Sequence, residues 1–114
     1  MEINKRISGS IAILLLKGRF DAHEVAPVAT WLQSQTDSGI SQVVVNLEGV
    51  NFIDSTALAS LVRGLKHCRE KGGDLRLCVL QPAVRVIFEL TRLDKAFNIV
   101  ATEAEALTSF GMSQ

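Results

Sequence analysis

VVVNLEGVNFIDSTALASL, residues 43–61, is the stretch on which the reading of this 114-residue chain turns. Val43, Val44 and Val45 form an apolar, β-branched run of the kind that fills a strand covered on both faces. Glu48, Gly49, Val50 and Asn51 read as a short loop, after which Phe52 and Ile53 are apolar again and Asp54-Ser55-Thr56 opens a helix. A hydroxyl, that of Ser55, therefore sits where a buried strand hands over to a helix N-terminus. Free backbone N–H groups and the helix dipole favour an anion at such a place.

Length and composition bound the rest. The chain is long enough for one domain, read over 1–114, with a single core. Hydrophobic residues at 47% and charged residues at 21% are the proportions of a globular protein rather than a disordered one. Twelve Lys and Arg balance twelve Asp and Glu, so bulk charge offers no attraction to nucleic acid or to an anionic membrane. The longest apolar stretch, Ile11 to Leu16, is too short to span a bilayer, and the opening residues MEINKRISGS lack the apolar core of a signal peptide. A cytoplasmic chain without membrane insertion is expected. Cys68 and Cys78 have no partner at metal-ligand spacing, since His67 next to Cys68 projects about 100° away on a helix. Both cysteines are expected to face the core as small apolar residues, and no metal or cofactor is expected.

Outward from the quoted stretch, periodicity assigns the remaining elements. Residues 2–7 and 11–17 read as a hairpin around Ser8-Gly9-Ser10, its second strand interior and ended by Gly18-Arg19-Phe20-Asp21. A helix over 24–36 presents Val25, Val28, Ala29, Leu32 and Thr36 on one face, with Trp31 at the boundary and Pro27 in the first turn. Strand 42–47 precedes the loop. The helix from Ser55 to Lys71 carries a stripe of Leu58, Leu61, Val62, Leu65 and Cys68 opposite Arg63, Lys66, His67, Glu70 and Lys71. Gly64 inside it costs about 1 kcal/mol against Ala, through close packing or plain tolerance. Strand 74–80 follows, then a helix opened by Gln81-Pro82 with Val84, Ile87 and Phe88 inward. A short strand 97–100 and a helix opened by the capping box Thr102–Glu105, with Ala106, Leu107 and Phe110 inward, complete the chain. The order ββαβαβαβα implies an α/β fold, a mixed and mostly parallel sheet of about five strands with about four helices and one antiparallel edge strand. No element keeps a second apolar face, so a monomer is expected.

The residues that could catalyse a reaction are not arranged for one. Ser55 lies in I-D-S-T-A rather than in a G-x-S-x-G elbow, and neither G-x-G-x-x-G nor G-x-x-x-x-G-K-[ST] occurs. His23 and His67 have no carboxylate partner placed by spacing and read as surface side chains. Asp21 and Asp54 both close strands and are expected on the same sheet edge. The basic face Arg63, Lys66, His67, Arg69 and Lys71 lacks interleaved aromatics for base stacking; it reads as a solvated face or as a docking surface for an acidic segment. An enzyme is not expected. For Asp54-Ser55-Thr56 taken alone, a helix N-cap is a sufficient explanation.

Taken as a whole, the run from Val43 to Leu107 resembles the anti-sigma factor antagonists, bacterial members of the STAS domain family. The resemblance is most specific at Phe52-Ile53-Asp54-Ser55, Lys71-Gly72-Gly73-Asp74-Leu75 and Gln81-Pro82-Ala83-Val84, and it reaches upstream to Gly18-Arg19-Phe20-Asp21. It implies a single STAS domain with this order of elements. It also implies that Ser55 is phosphorylated by a partner serine kinase that doubles as an anti-sigma factor. The unphosphorylated chain would bind that kinase and so release a sigma factor, and a PP2C-type phosphatase would reset the switch. The implied partner-binding residues are Asp21, Asp54, Ser55, Thr56 and Ala57, with Asp54 positioning the serine and Thr56 a weaker acceptor of phosphate. Ala57 and Ala59 stand where the family usually has glycine, two methyl groups expected to crowd a kinase that approaches closely, and Arg92 stands where glycine is frequent. The alternative within the family is a non-phosphorylated STAS scaffold, or a regulatory subunit of a transporter or signalling complex.

Overall fold

The computed structural model describes residues 1–111; residues 112–114, the end of the domain read over 1–114, lie outside the described residues. The order is β1 (Glu2–Ser8), β2 (Ile11–Phe20), α1 (Val25–Asp37), β3 (Gln42–Ile53), α2 (Ser55–Glu70), β4 (Asp74–Cys78), α3 (Pro82–Leu90), β5 (Asn98–Val100) and α4 (Glu103–Ser109). Short 3-10 turns at Ala22–Glu24 and Leu93–Lys95 precede α1 and β5. The ββαβαβαβα order is the one periodicity predicts.

The sheet runs β1-β2-β3-β4-β5, antiparallel at β1–β2 and parallel elsewhere. Successive parallel crossovers of one hand place α1, α2 and α3 on one face. There Val28, Leu61 and Phe88 share a core with Leu14, Val45 and Leu77. Helix α4 lies on the other face, where Ala106 packs with Ile11, Ile13, Val44 and Cys78. Cys68 and Cys78 are thus buried on opposite sides of the sheet.

Strand β3 differs from expectation. It does not stop at Leu47; the residues read as a loop continue the strand to Ile53. Twelve residues of β3 lie beside ten of β2, and the register shifts twice, between Leu15 and Lys17 and between Gly18 and Arg19. Each shift adds one residue to β3, the signature of a β-bulge. The helix-side residues Val43, Val45, Leu47, Val50 and Ile53 accordingly change spacing from two to three after Leu47. A period-two reading takes that change for a loop. Gly49 lies at the first bulge, where an added Cβ would come within 2.9 Å of Lys17 Cα. Asn46, only 6% exposed, explains the lone polar residue in the valine run. Its Oδ1 accepts the Glu48 N–H at 2.9 Å and its Nδ2 donates to Glu103 at 3.2 Å, pinning the bulge to α4. Glu103 in turn pairs with Arg6 of β1.

The helix faces are rotated slightly from their expected positions. Trp31 is buried at 8% exposure while Val25 and Ala29 are half-buried, and on α2 Val62 is 36% exposed. The buried face of α2 runs instead through Ala57, Ser60 and Gly64. A Cβ at Gly64 would sit 2.9 Å from Leu32 Cδ1 and 3.0 Å from Leu75 Cδ1, so close packing, not tolerance, accounts for that glycine. Strand β4 ends at Cys78 rather than Leu80 because Val79 turns to φ 57, a conformation costly for a β-branched side chain. Arg92 likewise adopts φ 64, the left-handed conformation that glycine takes without strain.

Two stability effects follow. Asn46→Ala should cost about 1–3 kcal/mol in urea unfolding, because it leaves the Glu48 N–H unpaired and removes the donor to Glu103 Oε1, the other oxygen keeping Arg6. Arg92→Gly should raise stability by up to about 1 kcal/mol, the relief of left-handed strain exceeding glycine's added freedom in the unfolded chain.

Candidate functional site

Strands β2 and β3 end side by side, with Phe20 paired to Ile53. The Asp54 N–H still donates to the Phe20 carbonyl at 3.3 Å, and beyond it the two chains part. Asp54 is extended and serves as N-cap of α2. Its Oδ1 accepts the Ala57 N–H at 2.9 Å, one of the free donors at the helix start, and its Oδ2 accepts the Ala22 N–H at 2.9 Å from the loop after β2. One carboxylate therefore joins both loops. The Ala57 N–H holds the Asp54 carboxyl below its ordinary range, against a partial desolvation that acts the other way; the N–H groups of Ala22 and Thr56 and the charge of Arg19 add to the lowering.

Ser55 is the first residue of α2, exposed, and Thr56 beside it is exposed as well. Among the described residues the Ser55 hydroxyl has no hydrogen-bond partner of its own, since Asp54 already performs the capping. Asp21 lies on the same edge, as its sequence position suggests. It caps the 3-10 turn by accepting the His23 N–H at 3.1 Å.

Of the five residues expected to face a partner, Asp21, Asp54, Ser55 and Thr56 gather at this edge. Ala57 does not present a side chain there. Its methyl is 0% exposed and belongs to the core, so its backbone N–H is its whole contribution. It is not a methyl group that an approaching protein would meet. Ala59 is exposed, so of the two methyl groups only that one meets the surface. Asp54 fixes the start of the helix on which Ser55 sits, without a hydrogen bond to the hydroxyl.

Two residues at the site were missed as a pair. The Arg19 guanidinium carbon lies 3.8 Å from the centroid of the Phe52 ring, which is 36% exposed, and Arg19 Nε is 3.5 Å from Asp21 Oδ2. The pairing depends on Arg19 and Phe52 being opposite each other, and both bulges must be counted before the register gives that result. His23, two residues after Asp21, and His67 on α2 are exposed as expected, and burial pushes the thiols up to about 11 for Cys68 and about 12 for Cys78. Among the described residues no group of three or more His, Cys, Asp or Glu is placed to hold a metal ion, and no helix is long and apolar enough to cross a membrane.

With this geometry in place, the similarities are informative. The model of the STAS domain matches residues 2–106. The anti-sigma F factor antagonist of Paenibacillus polymyxa is 26% identical over 113 residues, which is 95% of this chain and 93% of that one. An anti-sigma-factor antagonist (STAS) domain protein from Planctomyces limnophilus superposes with a TM-score of 0.86 at 24% identity, covering 96% of this chain and 97% of that one. The Bacillus cell fate determinant SpoIIAA in its phosphorylated form superposes with a TM-score of 0.76 at 20% identity, covering 95% and 98%. At these identities the two structures speak for the fold.

The lowered pKa of Asp54 has a consequence for pH. A carboxyl whose folded pKa lies below its unfolded one contributes stability above the unfolded value and loses it as pH falls through the folded value. Asp54→Asn, which keeps the capping geometry but not the charge, should therefore melt below wild type at pH 7. The gap in Tm should close as pH drops below about 4.

Proposed function

The chain belongs to the STAS domain family, and from that premise we propose that it is an anti-sigma factor antagonist whose binding is switched by phosphate on Ser55. Unphosphorylated, it binds a serine kinase that is also an anti-sigma factor, and so frees a sigma factor. The kinase transfers the terminal phosphoryl group of ATP to the Ser55 oxygen, which loses its proton, and the modified chain lets go. Hydrolysis by a PP2C-type phosphatase restores it. The protein acts in the cytoplasm as a monomer, neither catalysing a reaction itself nor binding nucleic acid.

The observation that carries this reading is the exposed, unengaged hydroxyl of Ser55 at the first position of α2, beside a carboxylate held rigidly by two backbone amides. The name borne by the Paenibacillus relative supports it as well. The physics agrees. Phosphate adds about −1.5 to −2 charges. The positive end of α2 accommodates them in the free domain, whereas a partner packed over the loop would have to bury them beside Asp54, at considerable cost.

Phosphate-affinity gels on cell extracts test the modification. Wild type should show a retarded band that Ser55→Ala lacks; no retarded band under any growth condition, with no kinase co-purifying, would leave the scaffold reading in its place. Ser55→Glu should weaken binding to the co-purified kinase at least about tenfold, or about 1.4 kcal/mol, with Tm within about 3 °C of wild type. A variant that unfolds instead would sink a purely interfacial role.

A further inference from the structure

We propose that phosphate on Ser55 draws the guanidinium of Arg19 away from Phe52 and Asp21, so that modification reshapes the docking surface as well as charging it. The inference rests on the reading that Ser55 carries phosphate, and adds an internal partner for that phosphate.

Arg19 is held by two weak contacts. It stacks on a ring that is itself partly exposed, and its Nε is a long 3.5 Å from Asp21 Oδ2 with the Arg19 side chain 63% exposed. Stacking and ion pairing at exposed positions both contribute little. A phosphoserine offers three acceptor oxygens and up to twice the charge of Asp21, and guanidinium binds phosphate through two parallel hydrogen bonds. The exchange therefore favours the phosphate.

The register brings the two groups within range. Arg19 is paired with Phe52, and Ser55 lies three residues further along, at most about 10–11 Å of chain even when fully extended. Asp54, the residue before Ser55, already feels the charge of Arg19. The Asp54 carboxylate already occupies the Ala57 and Ala22 N–H groups; the amides of Ser55 and Thr56 that remain at the start of α2 are neutral donors, weaker toward phosphate than the charged guanidinium. The basic residues of α2 are remote by comparison. Arg63, eight positions after Ser55, lies about 12 Å further along the helix axis. Once Arg19 moves, the Phe52 ring loses its cover and Asp21 its counter-cation, which gives a partner a second difference to sense.

The full chain made with phosphoserine encoded at position 55 tests this without a kinase or partner. Phosphorus NMR reads the second ionisation of the phosphate, about 6 when unperturbed. With Arg19 present the midpoint should lie about half a pH unit below that of the Arg19→Gln chain at low salt, and the difference should shrink as salt is raised. The Arg19 side-chain protons, shifted upfield by the Phe52 ring in the unmodified chain, should lose that shift on modification. Identical midpoints with and without Arg19, an equal change from the distant Arg63→Gln, or Arg19 protons that stay ring-shifted would each overturn the inference. Any of these failures leaves the gel test of Ser55 modification untouched, so the two readings fail separately.

Discussion

The carboxylate of Asp54 holds a backbone amide in the first turn of α2 and another, Ala22, that lies 32 residues before it in sequence, and the arrangement of the site depends on that bridge. One oxygen satisfies a donor at the start of α2; the other anchors the turn after β2, which carries Asp21. The division of labour between neighbours matters as much as the bridge itself. Serine is a favoured N-cap, and a capping serine has its oxygen engaged by the helix's own N–H groups. Here the aspartate takes that position and the serine falls one residue later, so the hydroxyl remains at the positive end of the helix with no hydrogen-bond partner among the described residues.

The bridge is presented at the end of a two-stranded arm. Strand β4 last pairs at Cys78 opposite Asn46, while β3 continues to Ile53 alongside β2 alone. The two bulges let β3 travel this distance while keeping Leu47, Val50 and Ile53 on the helix side. Asn46 secures the base of the arm by holding a bulge amide and the first residue of α4 together. Its burial is justified by hydrogen bonds that an apolar residue could not replace. Core packing and the placement of the site are thus joined through one polar side chain.

How far this could be read from the residues depended on range. Order and type of elements were legible because the apolar spacing is strong, and Asp54-Ser55 was legible because strand-to-helix chemistry is local. The extension of β3 was hidden because a bulge breaks the period on which strand recognition relies, although the three-residue spacing Leu47, Val50, Ile53 was the available signal. Trp31 and Val62 exchanged their expected exposures since the angle at which a helix packs is fixed by its neighbours, Gly64 against Leu32 among them. The left-handed turn at Val79 gave no local sign, because a β-branched residue does not favour that conformation, whereas at Arg92 the glycine frequent in the family at that position was the signal. Arg19 over Phe52 needs the register across two bulges, which is tertiary information. Ala57 was placed at the surface by its position two residues after the serine, and only the rotation of α2 sends its methyl inward.

On the proposed reading, the phosphate must act on the partner and not on the fold, and the magnitudes explain why. In the free domain the added charge meets the positive end of α2, an exposed interaction worth about 0.3–1 kcal/mol in its favour, and repulsion from Asp54 offsets part of it through solvent. The sum is small against the 5–15 kcal/mol that typically holds a domain together. In a complex the same group would lose its water, and an uncompensated buried charge costs several kcal/mol. The two environments therefore respond unequally to one modification. Binding can be abolished while the domain stays folded, provided that the serine lies under the partner and outside the core. An exposed first residue of a helix, capped by its neighbour and not by itself, meets both conditions.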